Sequence, residues 1–110
     1  MSNPQADFLQ GTLDLLILKV LSQGPEHGWG VARRIQQISH DVLTVNEGSL
    51  YPALHRLALK GRIEASWAKT ENNRRAKYYR LTPLGEAELA EESREWRRFA
   101  VAVELVLQLG

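Results

Sequence analysis

The chain has 110 residues, which is enough for one domain, or for a small domain with one appended element. It contains no cysteine, and this excludes disulfides, thiolate zinc sites and a cysteine nucleophile. The net charge of +1 hides an asymmetry, because residues 1–82 hold eleven Lys and Arg against seven Asp and Glu, whereas residues 83–110 hold three against six. The basic part suits a partner that carries phosphate groups.

The N-terminal segment predicts a loose arm and then a helix. Residues 1–10 are mostly polar and have no period, so we expect a flexible arm there. Apolar residues recur at helical spacing from Thr12, which can cap the helix, to about Ser22, where a glycine–proline pair follows. The apolar run of this helix is short, is interrupted by Asp14 and Lys19, and follows no signal-peptide pattern. We therefore expect a soluble cytoplasmic protein without a membrane partner.

A second helix is predicted over residues 28–39, and residues 42–45 favour a short strand. The apolar side of the helix should hold three residues: Val31, Ile35 and Ile38. The helix starts with Gly28-Trp29-Gly30, and its first backbone N–H groups can face a phosphate.

The third predicted helix has one apolar side and one polar side. Asn46 can cap its start, Gly61 ends it, and Pro52 must lie within its first turns, where proline is better tolerated. Its apolar stripe consists of Leu50, Ala53, Leu54 and Leu57. The opposite side presents Glu47, Ser49, Tyr51, Pro52, His55 and Arg56. Hydroxyl groups on this side can donate to phosphates, and the guanidinium can reach a phosphate or a guanine edge.

Apolar and polar residues alternate along two stretches of residues 63–81, on either side of a polar tip, and this pattern predicts a β-hairpin. Apolar residues should face one another across its two strands: Ile63, Ala65 and Trp67 with Tyr79 and Leu81. The tip contains Asn72 and Asn73, which favour a turn and tolerate positive φ. Basic residues cluster beside them: Arg74, Arg75 and Lys77. Such a cluster attracts phosphate regardless of base sequence.

The last predicted helix begins at Thr82-Pro83, with proline at the first helical position, and runs to about Leu109. Small and apolar residues along it follow alternating steps of four and three: Leu89, Ser93, Trp96, Ala100, Val103 and Leu107. Phe99, Leu105 and Val106 widen this seam, which is of the kind that packs against another helix. The first helix is one available partner, but the last helix is too long for so small a body, so we expect a homodimer.

Together these elements predict a mainly α fold with a small β-hairpin: a winged helix-turn-helix domain over residues 11–82 and a C-terminal dimerisation helix over residues 83–110. This layout usually binds double-stranded DNA, with one helix in the major groove and the hairpin against the backbone or minor groove. His27, His40 and His55 form no metal-ligand motif, and no phosphate loop or nucleophile elbow is present. We therefore expect a DNA-binding regulator without enzymatic activity, cofactor or metal. The alternative is a winged-helix module that binds proteins and has no DNA target.

Four segments resemble the PadR family of bacterial transcriptional regulators. They are GTLDLLIL at residues 11–18, HGWG at 27–30, GSLYPALHRL at 48–57 and NRRAKYYRLT at 73–82. The resemblance extends from Gly11 to Leu107, and it is to the short branch with one C-terminal helix in particular, of the type common in Acidobacteria.

The resemblance implies a homodimeric repressor, associated with the nucleoid, whose C-terminal helix contacts the first and last helices of its partner. Trp29 departs from the family, which usually has tyrosine there, so a phosphate contact through that hydroxyl is lost. Some short members bind planar aromatic molecules at the dimer interface, beside a tryptophan at the position of Trp96. This implies a small aromatic effector.

We therefore predict three sets of site residues. The set expected to contact DNA is Gly28, Trp29, Glu47, Ser49, Tyr51, Pro52, His55, Arg56, Asn72, Asn73, Arg74, Arg75 and Lys77. The set expected at the dimer interface is Leu13, Ile17, Leu89, Trp96, Phe99, Ala100, Val103 and Leu107. The small aromatic ligand is expected at Trp96 and Phe99.

Overall fold

The computed structural model describes the backbone of residues 4–110 and the side chains of residues 11–110. Its elements, in chain order, are α1 (Pro4–Leu21), β1 (Glu26–His27), α2 (Gly28–Ile38), α3 (Glu47–Leu59), β2 (Ile63–Lys69), β3 (Arg75–Leu81) and α4 (Pro83–Leu107). The strands form an antiparallel sheet in the order β1-β3-β2. This confirms the predicted mainly α fold with a small hairpin, to which β1 adds a third strand.

Helix α1 is longer than predicted. It begins at Pro4 instead of Thr12, so residues 4–10 of the expected flexible arm are helical, and residues 1–3 lie outside the described residues. Proline is accommodated at the first helical position because its missing N–H would have no intrahelical partner there. Gly11 within the helix costs about 1 kcal/mol relative to alanine, which a helix packed against a core can absorb. Neither α1 nor any other helix of the described chain is long and apolar enough to cross a bilayer.

The core lies between α1, α2, α3 and the base of the sheet. Its largest fully buried side chains come from all of these elements: Ile17, Leu18, Val31, Leu50, Leu54, Leu57 and Ile63. The predicted apolar stripe of α3 is buried along its whole length, as expected. Ile38 was also predicted to be buried, and this is wrong: its side chain is 62% exposed. The reason is that α2 ends at this residue and the chain turns away from the core.

The segment between α2 and α3 forms no strand. Residues 42–45, which favour a strand in the sequence, follow two residues in the left-handed region, His40 with φ 52° and Asp41 with φ 65°. These residues redirect the chain, and Leu43 and Val45 pack against the core from a loop. The strand that joins the hairpin is instead β1, which pairs with β3. Its two residues are too few to show alternation in a sequence.

Strands β2 and β3 form the hairpin, which we call the wing, and they pair in the predicted register. Ile63 lies opposite Leu81 and Ala65 lies opposite Tyr79, which confirms the expected facing of these residues. At the tip, Asn73 has φ 59°, the positive value that was expected there. The register is thus set by the alternation of both strands and by the turn that asparagine permits.

Helix α4 begins at the predicted position and is anchored at its N-terminal end. Thr82 Oγ1 accepts a hydrogen bond from the Gly85 N–H at 3.0 Å and donates one to the Gly61 carbonyl at 2.7 Å. Glycine is required at position 85, since a Cβ there would lie 2.0 Å from the Arg62 carbonyl oxygen. From this anchor the helix runs past the core, and residues 101–110 are all exposed.

Candidate nucleic-acid interface

The start of α2 is packed tightly against α3. Gly28 is buried there, and a Cβ at this position would lie 3.0 Å from Leu54 Cδ1 and 3.2 Å from Tyr51 Cε1. His27 caps the helix, since its Nδ1 accepts a hydrogen bond from the Gly30 N–H at 2.9 Å. We expected Gly28 and the Gly30 N–H to face DNA. In the structure Gly28 packs against α3, and the Gly30 N–H donates to the capping residue His27.

The side of α3 that faces away from the core exposes five of the six predicted residues: Glu47, Ser49, Tyr51, Pro52 and His55. Asn46 fixes the first turn, as predicted, because its Oδ1 accepts a hydrogen bond from the Ser49 N–H at 2.9 Å. Pro52 is the sixth residue of the helix, in its second turn, where it removes one i→i−4 backbone hydrogen bond. The N-terminal half of α3 therefore offers an open polar surface to a partner.

Arg56 differs from the other members of this set. Its Nη2 lies 2.9 Å from Asp14 Oδ1 of α1, and the two side chains are only 31% and 16% exposed. The guanidinium is thus held against α1, which corrects the expectation that it reaches a phosphate or a guanine edge. Asp14 lies 42 residues earlier in the chain, a separation that no local pattern reveals.

Trp29 lies at the start of α2 and joins this helix to the sheet. It is 53% exposed, its ring stacks on His27 at a centroid distance of 6.3 Å, and the Arg33 guanidinium lies 4.6 Å from its ring centroid. Tyr78 of β3 meets His27 edge-on at 5.5 Å. Arg33 was absent from the predicted set, although its i,i+4 spacing from Trp29 could have indicated the contact. An exposed indole and an exposed guanidinium therefore lie together beside the α2–α3 pair.

The tip of the wing holds the remaining residues predicted to contact DNA. All of them are exposed: Asn72, Asn73, Arg74, Arg75 and Lys77. The Arg75 guanidinium lies 5.1 Å from the ring centroid of Trp67 on β2. At the base of the wing, burial and the electrostatic influence of Tyr51 raise the pKa of the Tyr79 hydroxyl. Tyr79 is also buried in one core with Leu54 of α3, so the base of the wing lies against α3.

A groove separates the middle of α4 from α1, and we call it the α1–α4 groove. Its volume is about 440 Å³, and its walls include Asp14 and Leu15 of α1 and Glu92 of α4. The two residues expected to hold an aromatic ligand, Trp96 and Phe99, both line it and are 44% and 50% exposed. The structure therefore brings the predicted ligand residues together at one concave surface.

Ion pairs attach α4 to the loop between α3 and β2. The Arg62 guanidinium lies 3.1 Å from a Glu88 carboxylate oxygen and 3.1 Å from one of Glu92. Burial raises the pKa of Glu92, and the nearby charges of Glu88 and Asp14 add to the rise, while Arg62 and Lys60 oppose it. Arg62 therefore holds the Glu92 carboxylate in place, although burial at this position disfavours the charged form of Glu92.

The predicted dimer set divides into a buried part and an exposed part. Leu13 and Ile17 are only 8% and 0% exposed, so they belong to the core of the protomer, which corrects their place in the interface. The reason is that α1 has one apolar face, and α2 and α3 cover it. Leu89 also packs against this core, and Ala100 is partly exposed. The exposed predicted residues of α4 are Trp96, Phe99, Val103, Leu105, Val106 and Leu107. Sequence reasoning missed Val101 and Leu109, which are also exposed.

Comparison with known proteins agrees with this architecture. The profile of the PadR-like family of transcriptional regulators matches residues 17–91. A transcriptional regulator from Mycobacterium tuberculosis is 33% identical over 94 residues, which are 86% of this chain and 84% of that protein.

Solved structures give the same result. A PadR-like transcriptional regulator from Bacillus cereus has a TM-score of 0.80 and 28% identity, over 94% of this chain and 99% of that one. A transcriptional regulator from Clostridium thermocellum has a TM-score of 0.81 and 26% identity, over 89% of this chain and 95% of that one. These relatives are transcriptional regulators, the class of protein expected for this chain. The chain belongs to the PadR-like family of transcriptional regulators.

Proposed function

We propose that this regulator is a homodimeric repressor that binds a specific duplex sequence, with α3 in the major groove and the wing against the backbone or the minor groove. One observation carries the proposal: the polar side of α3 is exposed, and the wing tip that follows it in the chain bears three exposed cations, Arg74, Arg75 and Lys77. In the part of the chain whose side chains are described, none of these three cations takes part in an ion pair. Cations of this kind attract phosphate.

Binding to DNA is tested by titrating labelled duplexes at several salt concentrations. The region upstream of the protein's own coding sequence should bind more tightly than a shuffled duplex of equal length, and added protein should reduce transcription from that region in vitro. The logarithm of the affinity should fall with the logarithm of salt concentration by about 0.9 per phosphate contacted. Failure to bind any duplex would favour the winged-helix module for protein interaction. A DNA-bound role would place the protein in the cytoplasm with the nucleoid.

The proposed dimer forms through the exposed apolar surface of α4. Trp96, Phe99, Val103 and Leu107 contribute to it. Large exposed apolar surfaces mark interaction sites, and a second copy is the partner that suits paired half-sites on DNA. Light scattering should give twice the 12.5 kDa mass of one chain. Val103→Glu with Leu107→Glu should give the monomer mass, whereas Leu59→Glu, at a 75% exposed apolar position on α3, should not.

A planar aromatic effector is the third part of the proposal. The volume of the α1–α4 groove, about 440 Å³, lies in the range of small-molecule sites, and two aromatic rings line it. Trp96 and Phe99 can stack on a flat ligand. Titration with planar aromatic dyes should quench tryptophan fluorescence in the wild type and not in Trp96→Ala, with the dimer intact. A dimer lost in Trp96→Ala, together with no response in the wild type, would show that this tryptophan only packs the interface.

A further inference from the structure

The two faces of the wing differ in charge. Cross-strand partners share a face, and the register places Lys77 opposite Trp67 and Arg75 opposite Lys69. We call these four residues the basic wing face. The same face continues inward to Tyr79, which is buried in one core with residues of α3. The basic wing face therefore lies on the side of the sheet that packs toward α3.

The opposite face of the wing is neutralised. There Arg80 pairs with Glu64 across the strands and donates two hydrogen bonds to its Oε2, at 3.0 and 2.7 Å. By contrast, none of the ion pairs among residues 11–110, whose side chains are described, involves Lys69, Arg75 or Lys77. The uncompensated charge of the two strands is thus on the α3 side, where DNA would lie.

A large ring stands in the middle of this charge. Trp67 is 59% exposed, and the guanidinium of Arg75, its diagonal neighbour on β3, lies 5.1 Å from the ring centroid. Contact over the ring restricts a long side chain that would otherwise lose rotamer freedom on binding DNA. Because the ring occupies the flat face of the guanidinium, the N–H donors at the guanidinium edge remain available for phosphate oxygens.

We propose that Trp67 is a positioning residue for DNA binding, which holds Arg75 ready for a phosphate and acts through that arginine. The inference rests on the proposed function, since it requires the wing to meet duplex DNA. A cation–π contact at an exposed site corresponds to about a two- to fivefold change in an equilibrium constant, which sets the size of the effect to be measured.

The test is a double-mutant cycle on the affinity for a labelled duplex that the wild type binds, at one salt concentration. Trp67→Leu keeps an apolar side chain without the π face and should weaken binding about two- to fivefold. Trp67→Phe should recover much of that loss. In an Arg75→Ala background, Trp67→Leu should have no further effect. The control changes the opposite face at constant net charge: Glu64→Gln with Arg80→Gln should leave the affinity within about twofold.

The outcomes separate this inference from the proposed function. If Trp67→Leu costs the same factor with and without Arg75, the ring contacts DNA itself or only shapes the hairpin, and the positioning role is overturned. A wild type that binds no duplex would refute the proposed function in the first titration. Melting curves by circular dichroism show whether each variant is folded. Should Trp67→Leu not fold, the smaller loss from Trp67→Phe is measured in both backgrounds and should vanish with Arg75→Ala.

Discussion

Replacing Arg56 by alanine should destabilise the fold and leave the preference among DNA sequences unchanged. Arg56 lies on α3 among the residues proposed to contact DNA, yet its guanidinium is bound to Asp14 of α1 at 2.9 Å. Ser49, in the first turn of the same helix, is exposed and serves as the matched comparison. Ser49→Ala should leave the stability nearly unchanged and alter the preference among operator variants, since a lost base contact costs about 1–3 kcal/mol.

The expected loss of stability follows from the burial of the pair. With 31% and 16% of the two side chains exposed, it lies between a surface pair and a buried one. A surface pair contributes about 0–1 kcal/mol, whereas loss of one partner of a buried pair costs about 3–5 kcal/mol. We therefore expect Arg56→Ala to lower the free energy of unfolding by about 1–3 kcal/mol. In a domain of this length, each kcal/mol lowers the melting temperature by about 4 °C.

The assay combines thermal unfolding with DNA titration. Unfolding is followed by circular dichroism at one protein concentration, because association makes the midpoint depend on concentration. Asp14→Ala should cost a similar amount, and the double variant should cost less than the sum of the single effects, since both changes break the same ion pair. An unchanged midpoint in Arg56→Ala, together with a changed preference among operator variants, would refute this reasoning. Arg56 would then break its ion pair with Asp14 when DNA binds and would contact the bases.

Changing Arg74 and Arg75 together to alanine should weaken binding to specific and random duplexes alike. The slope of the logarithm of the affinity against the logarithm of the salt concentration should become shallower by about two. An unchanged slope would show that the wing tip lies outside the interface. Gly85→Ala should lower the free energy of unfolding in urea by about 1–3 kcal/mol, because its Cβ would lie 2.0 Å from the Arg62 carbonyl oxygen, and wild-type stability would contradict that close approach. Burial raises the pKa of Glu92 above its ordinary 4.5, so folding favours the protonated form, and this contribution is present at low pH and is lost as the pH rises through the folded pKa. Glu92→Gln should therefore gain stability relative to the wild type as the pH is raised above the ordinary value of 4.5, and a constant difference in unfolding free energy would contradict this.

Elements with local signals could be predicted from the sequence. Asn46 and Thr82 stand just before α3 and α4, and each accepts a hydrogen bond from a backbone N–H three residues later. The wing register follows from the alternation of its two strands, and Asn73 supplies the positive φ of the turn. These signals depend on residues that are close in the chain, so they hold in any tertiary arrangement.

Features that depend on distant segments could not be predicted in the same way. Leu13 and Ile17 have the period of a buried face, but a period does not show whether the same chain or a second copy covers that face. Arg56 lies on the polar side of α3, opposite the apolar stripe. Nothing near it in the sequence indicates that it pairs with Asp14. The exposed side of α3 could be predicted, because the apolar stripe marks the buried side of the helix and the opposite side must then face solvent. Contact with bases does not follow from exposure, so those residues stay a prediction.

Ion pairs on the two walls of the α1–α4 groove fix α3 relative to α4. Asp14 of α1 binds Arg56 in the last turn of α3, and Arg62, just beyond α3, binds Glu88 and Glu92 of α4. The C-terminal part of α3 is therefore held from both sides. In the proposed dimer α4 also carries the interface, so these pairs, together with the Thr82 hydrogen bonds to Gly61 and Gly85, help to set the place of each α3 relative to the dimer axis. A dimer of this kind presents two α3 helices at a defined spacing, which half-sites about 34–36 Å apart require.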